Sequence, residues 1–249
     1  MDKFNSAGVE IALESWGEGP AILLIHGFAS NRFVNWRDTG WVKTLTEAGF
    51  RAIALDNRGH GESEKLYEPA RYVLPEMAED ARRLLDHLAI GQAHVMGYSM
   101  GARIAAFLAI GHPARIGRLV LGGLAGNMIR GLGNGPEIAA ALEADDARAV
   151  ANGEARAFRI FAEQTKSDRL ALAACMKAGR TRIGPEALAR IAAPTLVVAG
   201  ELDGIAGDVG ELVAAIPGAR GLTLARRNHM NAVGDREFKA AVVAFLAET

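Results

Sequence analysis

Seven short apolar runs, separated by longer stretches with helical spacing, constrain this chain more than any other feature of it. They lie at residues 9–13, 21–26, 51–55, 94–96, 118–121, 195–199 and 222–225. Short strands that alternate with helices build βαβ units and a mostly parallel sheet. Two of the runs, Ala21-Ile22-Leu23-Leu24-Ile25 and Thr195-Leu196-Val197-Val198-Ala199, are apolar almost throughout. A strand needs that composition when helices cover both faces of its sheet. Between the runs, residues 75–88 carry Pro75 in the first turn and Met77, Ala81, Leu84, Leu85 and Leu88 at helical spacing. Residues 102–110 and 238–246 have the same helical pattern.

The rhythm fails once. From about Leu124 to Ala187, Gly131, Gly133 and Gly135 open an alanine-rich stretch with helical spacing and no convincing strand. A chain of 249 residues admits one large domain or two small ones, and a single interruption fits one core with an insertion. The expectation is an α/β fold with a mostly parallel central sheet and helices on both faces. Its core comprises residues 1–123 and 188–249, and residues 124–187 form a small helical cap over one end of the sheet.

Charge and cysteine usage exclude several function classes. Lys and Arg number 28 against 29 Asp and Glu, a formal balance of -1, and the basic residues are scattered, with only short pairs such as Arg82-Arg83 and Arg226-Arg227. Nucleic acid or an anionic membrane requires a concentrated basic patch, so neither is expected as a partner. The single cysteine, Cys175, precludes an intrachain disulfide and a cysteine-based metal cluster. The opening residues Met1-Asp2-Lys3-Phe4-Asn5-Ser6 are too polar to begin a signal peptide. The longest apolar runs fall far short of the ~20 residues of a membrane span. A cytoplasmic location is the expectation; the oligomeric state stays open.

Glycine is in excess, with 29 residues, about 12% against an average near 7%. No G-X-Y period accompanies it, so it marks tight turns and close backbone approaches. The most informative case is Gly97-Tyr98-Ser99-Met100-Gly101, a G-x-S-x-G pattern. The pattern alone is short enough to arise by chance; its setting between a strand and a helix is what gives it meaning. A turn that tight holds the serine in a strained conformation, and the flanking glycines remove side chains that would collide with the neighbouring elements. Ser99 then stands exposed beside the N-terminal amides of the following helix, which favour negative charge.

A serine hydroxyl is a poor nucleophile without an adjacent base, and histidine is the usual one near neutral pH. His87 falls in a helical pattern and His94 in a strand. His112 is about a dozen residues, or ~18 Å, along the helix that starts beside Ser99. His26 and His60 lie in glycine-containing loops, where a structural role suits them better. His229 follows a strand and precedes the last helix, a position that suits a base. Its imidazole needs an orienting carboxylate: Asp203 follows the run at 195–199, with Glu201 and Asp208 as competitors. After the strand at 21–26, Gly27 lets the chain turn so that the Phe28 N–H, with that of Met100, can hold a tetrahedral oxyanion.

Taken in order, His26-Gly27, Asp56-Asn57-Arg58-Gly59-His60-Gly61-Glu62-Ser63, Gly97-Tyr98-Ser99-Met100-Gly101, Asp203 and His229 resemble the α/β-hydrolase superfamily over nearly the whole chain. The resemblance implies the α/β-hydrolase fold and a triad in the order Ser, Asp, His, which independently selects His229. It also implies that the D-x-R-G-x-G-x-S segment is a structural loop, so Asp56, Arg58 and His60 are not catalytic candidates. Two departures stand out. Similar proteins carry a proline shortly after the acid, where this chain reads Gly204-Ile205-Ala206-Gly207, and a glycine before the base, where it has Asn228. Asparagine tolerates a left-handed conformation better than most residues, so the expectation is that Asn228 preserves a left-handed turn there.

A serine at the elbow separates this chain from the dehalogenase and epoxide-hydrolase branches of similar fold, which use aspartate. Ester, lactone, thioester and carbon–carbon bond hydrolysis remain, with cofactor-free perhydrolysis. By resemblance, the cap chooses the substrate. Its Met128, Ile129, Phe158, Phe161 and Met176, with Tyr98 beside the nucleophile, are the pocket candidates, although such residues at helical spacing also serve as core. Few aromatic residues and no cationic cluster suggest a small, mostly neutral substrate. The sequence therefore points to a serine hydrolase that cleaves a small, mostly neutral carboxylic ester through an acyl-enzyme, with a Ser-His-Asp triad and without metal or organic cofactor. Enol-lactone or carbon–carbon bond hydrolysis on the same triad is the alternative. A non-catalytic small-molecule receptor on this fold is the alternative of another class.

Overall fold

The computed structural model describes residues 2–131 and 133–248. Met1, at the head of the polar N-terminal hexapeptide, Leu132, inside the segment read as a cap, and Thr249 lie outside the described residues. The strands are β1 (Asp2–Ser6), β2 (Val9–Trp16), β3 (Ala21–Ile25), β4 (Arg51–Leu55), β5 (Ala93–Tyr98), β6 (Ile116–Gly122), β7 (Thr195–Gly200) and β8 (Arg220–Leu224). They form one sheet in the order β1-β2-β4-β3-β5-β6-β7-β8. The β1–β2 and β2–β4 pairs are antiparallel and every later pair is parallel.

The continuous apolar runs serve two cores, because successive side chains of a strand point to opposite faces. Leu23 and Ile25 of β3, with Val95, Leu119 and Leu121, join the core on one face. Ile22 and Leu24, with Met96, Val120, Leu196 and Val198, join the other. The first face is covered by α2 (Leu74–His87) and α3 (Met100–Gly111), the second by α1 (Trp41–Glu47).

Between β6 and β7 the chain forms α4 (Asn127–Arg130), α5 (Gly135–Glu143), α6 (Gly153–Gln164), α7 (Arg169–Lys177) and α8 (Pro185–Leu188), with no strand among the described residues. The side chain of Asn152 caps α6, and that of Asp168 caps α7. Buried Arg159 donates to the carbonyls of Ala141 and Ala144 at 2.8 and 2.5 Å, which ties α6 to the end of α5. The segment is fastened over the loop after β3, where the Thr165 hydroxyl donates to the Ala29 carbonyl at 3.0 Å. The chain then adds α9 (Val209–Ala215) on the first face, the short α10 (His229–Ala232), and α11 (Arg236–Leu246) on the second.

The topology also dictates where a ligand can sit. β3 and β5 are neighbours, yet the chain leaves β3 toward β4 on one side and leaves β5 toward β6 on the other. In open α/β sheets a crevice opens at such a switch point, outside the carboxyl ends of the strands. The loop at Gly27 and Phe28 and the turn at Ser99 stand at the carboxyl ends of those two strands.

Candidate active site

Ser99 heads α3 directly after β5, with φ +56° and ψ -115°. A non-glycine residue at positive φ carries strain of about 1–3 kcal/mol and persists only where its surroundings fix it. Here they do. A Cβ on Gly97 would lie 2.1 Å from the Gly101 carbonyl oxygen, and one on Gly101 would lie 1.9 Å from that of Ile25. The Ser99 amide is held by the Gly122 carbonyl at 2.8 Å. Strand, elbow and helix therefore pack so closely that only glycine fits at either flank, and Ser99 is left partly exposed at the turn.

The fold brings Ser99 together with Asp203 and His229, each more than a hundred residues further along the sequence. Asp203 Oδ2 lies 2.9 Å from His229 Nδ1, and His229 Nε2 lies 3.0 Å from Ser99 Oγ. A carboxylate only accepts, so Nδ1 carries the proton and Nε2 is free to accept from the serine hydroxyl. The Asp203 side chain is fully buried while His229 keeps 13% of its own exposed. Behind the imidazole, the Tyr98 ring lies tilted by 40° with 5.4 Å between ring centres, and its hydroxyl donates to the His229 carbonyl at 2.6 Å. The competing carboxylates are engaged elsewhere: Glu201 accepts from the Arg226 amide at 2.8 Å, and Asp208 caps α9 through the Glu211 amide at 2.9 Å.

Both departures from the family pattern have local explanations. Where a proline would stiffen the acid loop, Asp203 closes it instead, its Oδ1 accepting from the amides of Ile205 and Ala206 at 3.1 and 3.0 Å. The expectation of a left-handed Asn228 is overturned: its φ is -101°, and it is the N-cap of α10 in a reciprocal capping box with Asn231. The left-handed residue is Arg226, at φ +57°. Asparagine suits this site because its side chain accepts from the amides of Met230 and Asn231 at 3.0 and 3.1 Å.

The Phe28 loop stands against the nucleophile. A Cβ on Gly27 would lie 3.3 Å from Ser99 Cβ, and the Gly27 amide is held by Asn35 Oδ1 at 3.0 Å. Among the described residues neither the Phe28 nor the Met100 amide donates to another protein group. Buried His26 fixes this loop from below. Its Nε2 accepts from the Asn57 amide at 2.9 Å, so Nδ1 carries the proton and donates to the Gly27 carbonyl at 2.7 Å. Burial holds its pKa below the usual histidine value. In the segment at 56–63, Asp56 pairs with buried Arg32. Arg58 forks onto Asp80 with two bonds of 2.7 Å. His60 Nδ1 donates to the Arg58 carbonyl at 2.9 Å.

Two cavities meet at Ser99. The larger, about 510 Å³, is lined by Tyr98, Phe158, Phe161, Ile160, Val34 and His229 among others. The smaller, about 50 Å³, lies on the Met100 side and is lined by Phe28, Phe158, Met176, Arg103 and Arg180 among others. Of the pocket candidates, Tyr98 and Phe161 line the larger cavity, Met176 the smaller, and Phe158 both. Met128 and Ile129 line neither: Met128 is fully buried in the core, and Ile129 packs against it. α4 spends its carbonyls rather than its side chains near the site, those of Asn127 and Met128 accepting from Arg103 at 2.9 and 2.8 Å. Sequence reasoning missed Arg103, Arg180 and Ile205, because single residues in a helix and two loops leave no periodic signal.

A family model for the alpha/beta hydrolase fold matches residues 20–171. Epoxide hydrolase 3 of Siraitia grosvenorii is 34% identical over 116 residues, which are 47% of this chain and 36% of that protein. The chain thus spans about a third of the length of that curated relative. Solved structures match along the whole chain. A hydrolase from Pseudomonas aeruginosa PA01 is 31% identical with a TM-score of 0.82, covering 99% of this chain and 98% of that one. The enol-lactonase of Burkholderia xenovorans LB400 is 25% identical with a TM-score of 0.83, covering 99% and 100%. With the family model matched over more than half of its length and these structures superposing along all of it, the chain belongs to the α/β-hydrolase fold family.

Proposed function

We propose that this protein is a serine hydrolase that cleaves a carboxylic ester or lactone through an acyl-enzyme, with Ser99 as nucleophile, His229 as base and Asp203 as its orienting acid. The observation that carries the reading is the unbroken hydrogen-bond chain from Asp203 through His229 to Ser99, held at a strained elbow. Ser99 Oγ attacks the carbonyl carbon as His229 Nε2 takes its proton. The amides of Phe28 and Met100 receive the oxyanion. The leaving group departs with the proton from His229, and water, activated by the same imidazole, releases the acid and restores Ser99. A single oxyanion donor is worth about 10²–10³ in rate, which makes the close Gly27–Phe28 turn part of the machinery. The helices at 124–187, which supply Phe158, Phe161, Met176 and Arg180 to the cavities, act as the cap that selects the substrate.

The Siraitia grosvenorii relative is named an epoxide hydrolase, but a serine at the elbow does not suit that chemistry. Attack of Ser99 Oγ on an epoxide carbon would form an ether, which a histidine-activated water cannot cleave, and the enzyme would stop after one event. Attack on an ester or lactone carbonyl forms an acyl-serine ester that the same site can hydrolyse. The reading is tested by turnover of p-nitrophenyl butyrate. Wild-type protein should hydrolyse it, and Ser99→Ala should reduce kcat by roughly 10⁴ or more; a variant that retains wild-type turnover would place the chemistry elsewhere.

A further inference from the structure

The two chambers at Ser99 differ in charge as well as in size. Arg103 is 1% exposed, and each of its hydrogen bonds runs to a neutral carbonyl: Met128 and Thr181 from Nη1 at 2.8 and 2.9 Å, Asn127 from Nη2 at 2.9 Å. Arg180 stacks its guanidinium 5.1 Å from the centre of the Phe28 ring. Its Nη1 donates to the Cys175 carbonyl at 3.1 Å, while its Nη2 is buried and has no partner among the described residues. Neither arginine has a carboxylate within 4.0 Å among those residues. Burial, with Arg180 nearby, pulls the Arg103 pKa down to about 10.

A buried cation without a counter-charge is strongly unfavourable, and a second like charge beside it makes it more so. The other titratable groups around the chamber do not offset it. Glu154 reaches the rim of both chambers but is solvent-exposed. His60, whose Nε2 also lacks a partner, is held neutral by burial, and burial pushes the Cys175 thiol up. Two arginines thus face a small chamber that also holds the nucleophile, one of them with a free, desolvated N–H. Arginine recognises a carboxylate through its fork of donors. Asn134, whose side chain makes no capping bond at the head of α5, adds a polar group to the same wall.

The position of His229 assigns the two ends of the substrate. It lines only the larger, apolar chamber, and the leaving group must depart on the side of the imidazole that protonates it. The acyl part then occupies the smaller chamber. We propose that this chamber is an anion subsite, in which Arg180, backed by the fixed charge of Arg103, binds a carboxylate carried by a short acyl chain. The leaving group, apolar, fills the larger chamber. The inference rests on the serine-hydrolase reading above, and it replaces the neutral substrate suggested by a sequence in which Arg103 and Arg180 lie far apart.

The test compares p-nitrophenyl monoglutarate, an anionic acyl donor, with neutral p-nitrophenyl hexanoate. Wild-type protein should favour the monoglutarate in kcat/KM. Arg180→Gln should lower kcat/KM for it by roughly 10- to 150-fold, the range of a hydrogen bond to a charged group, chiefly through KM. The hexanoate should change by less than about threefold, and Arg180→Lys should recover part of the loss. Glutaric acid monoanilide reads the subsite without turnover: its affinity for Ser99→Ala protein by calorimetry should fall by a similar factor when Arg180→Gln is added. Equal losses on both esters, or unchanged anilide affinity, would overturn the anion subsite. Absence of ester hydrolysis with Arg180-dependent anilide binding would instead overturn the hydrolase reading and leave the subsite standing.

Discussion

Replacing Asp203 by asparagine tests the hydrogen-bond chain at its most buried link. Oδ1 of Asp203 accepts from the amides of Ile205 and Ala206, and Oδ2 faces His229 Nδ1. An asparagine at this position keeps its carbonyl oxygen toward the two backbone donors. The opposite orientation would aim an NH₂ group at them and leave both unsatisfied, at about 1–3 kcal/mol each. The NH₂ group therefore faces His229 and forces Nδ1 to accept. The proton moves to Nε2, and Ser99 faces a donor where it needs a base. The same exchange of tautomer in serine-protease triads costs about 10⁴ in rate, equivalent to ~5.5 kcal/mol of barrier. With the loop bonds retained, Asp203→Asn should lose kcat/KM on p-nitrophenyl butyrate by about that factor, with little change in Tm. Glu201→Gln and Asp208→Asn, whose side chains serve a turn and a helix cap, should stay within about threefold of wild type. A loss below tenfold for Asp203→Asn, or a larger loss at Glu201 or Asp208, would refute the assignment of the acid.

Gly101→Ala should fail to fold or lose most of its stability, because its Cβ would sit 1.9 Å from the Ile25 carbonyl oxygen. Gly91→Ala, with nothing within 4 Å, should melt within a few degrees of wild type; similar Tm values for the two variants would contradict the close packing at the elbow. Stability should also fall as pH drops from 7 toward 5. Burial depresses the pKa of both His26 and His60 below the ordinary histidine value of about 6.5, so below that pH the unfolded chain binds more protons than the folded one. Each histidine then contributes a loss of up to about 1.4 kcal/mol per pH unit, until its folded pKa is passed. Thermal melts across this range should show the slope, and His60→Gln should flatten it; a Tm independent of pH from 7 to 5 would contradict buried neutral imidazoles.

The central strands were legible in the sequence because each must be apolar on both faces, and β4 matches its run at 51–55. β1 was not: as an edge strand it buries only Phe4 and Ser6, and so leaves no apolar run. β8 starts at Arg220, two residues ahead of the apolar run at 222–225, because its buried residue, Leu224, comes at its end. α3 begins at Met100 rather than 102, since Ser99 itself is the residue before the helix. At the site, Ser99 and His229 could be read because glycine spacing and a strand-to-helix position both point to them. Met128 and Ile129 failed as pocket residues because apolar helical spacing does not distinguish a wall from a core. Arg103 and Arg180 are illegible for a different reason: their meaning is the absence of a carboxylate partner among the described residues, which only the folded arrangement of carbonyls and carboxylates discloses.

The most direct test of Ser99 as an activated nucleophile is covalent trapping with a fluorophosphonate, followed by intact-mass measurement and peptide mapping. One adduct per chain, located on Ser99, absent in Ser99→Ala and strongly slowed in His229→Gln, is the predicted result. No adduct, or an adduct on another residue at a rate indifferent to His229, would contradict it.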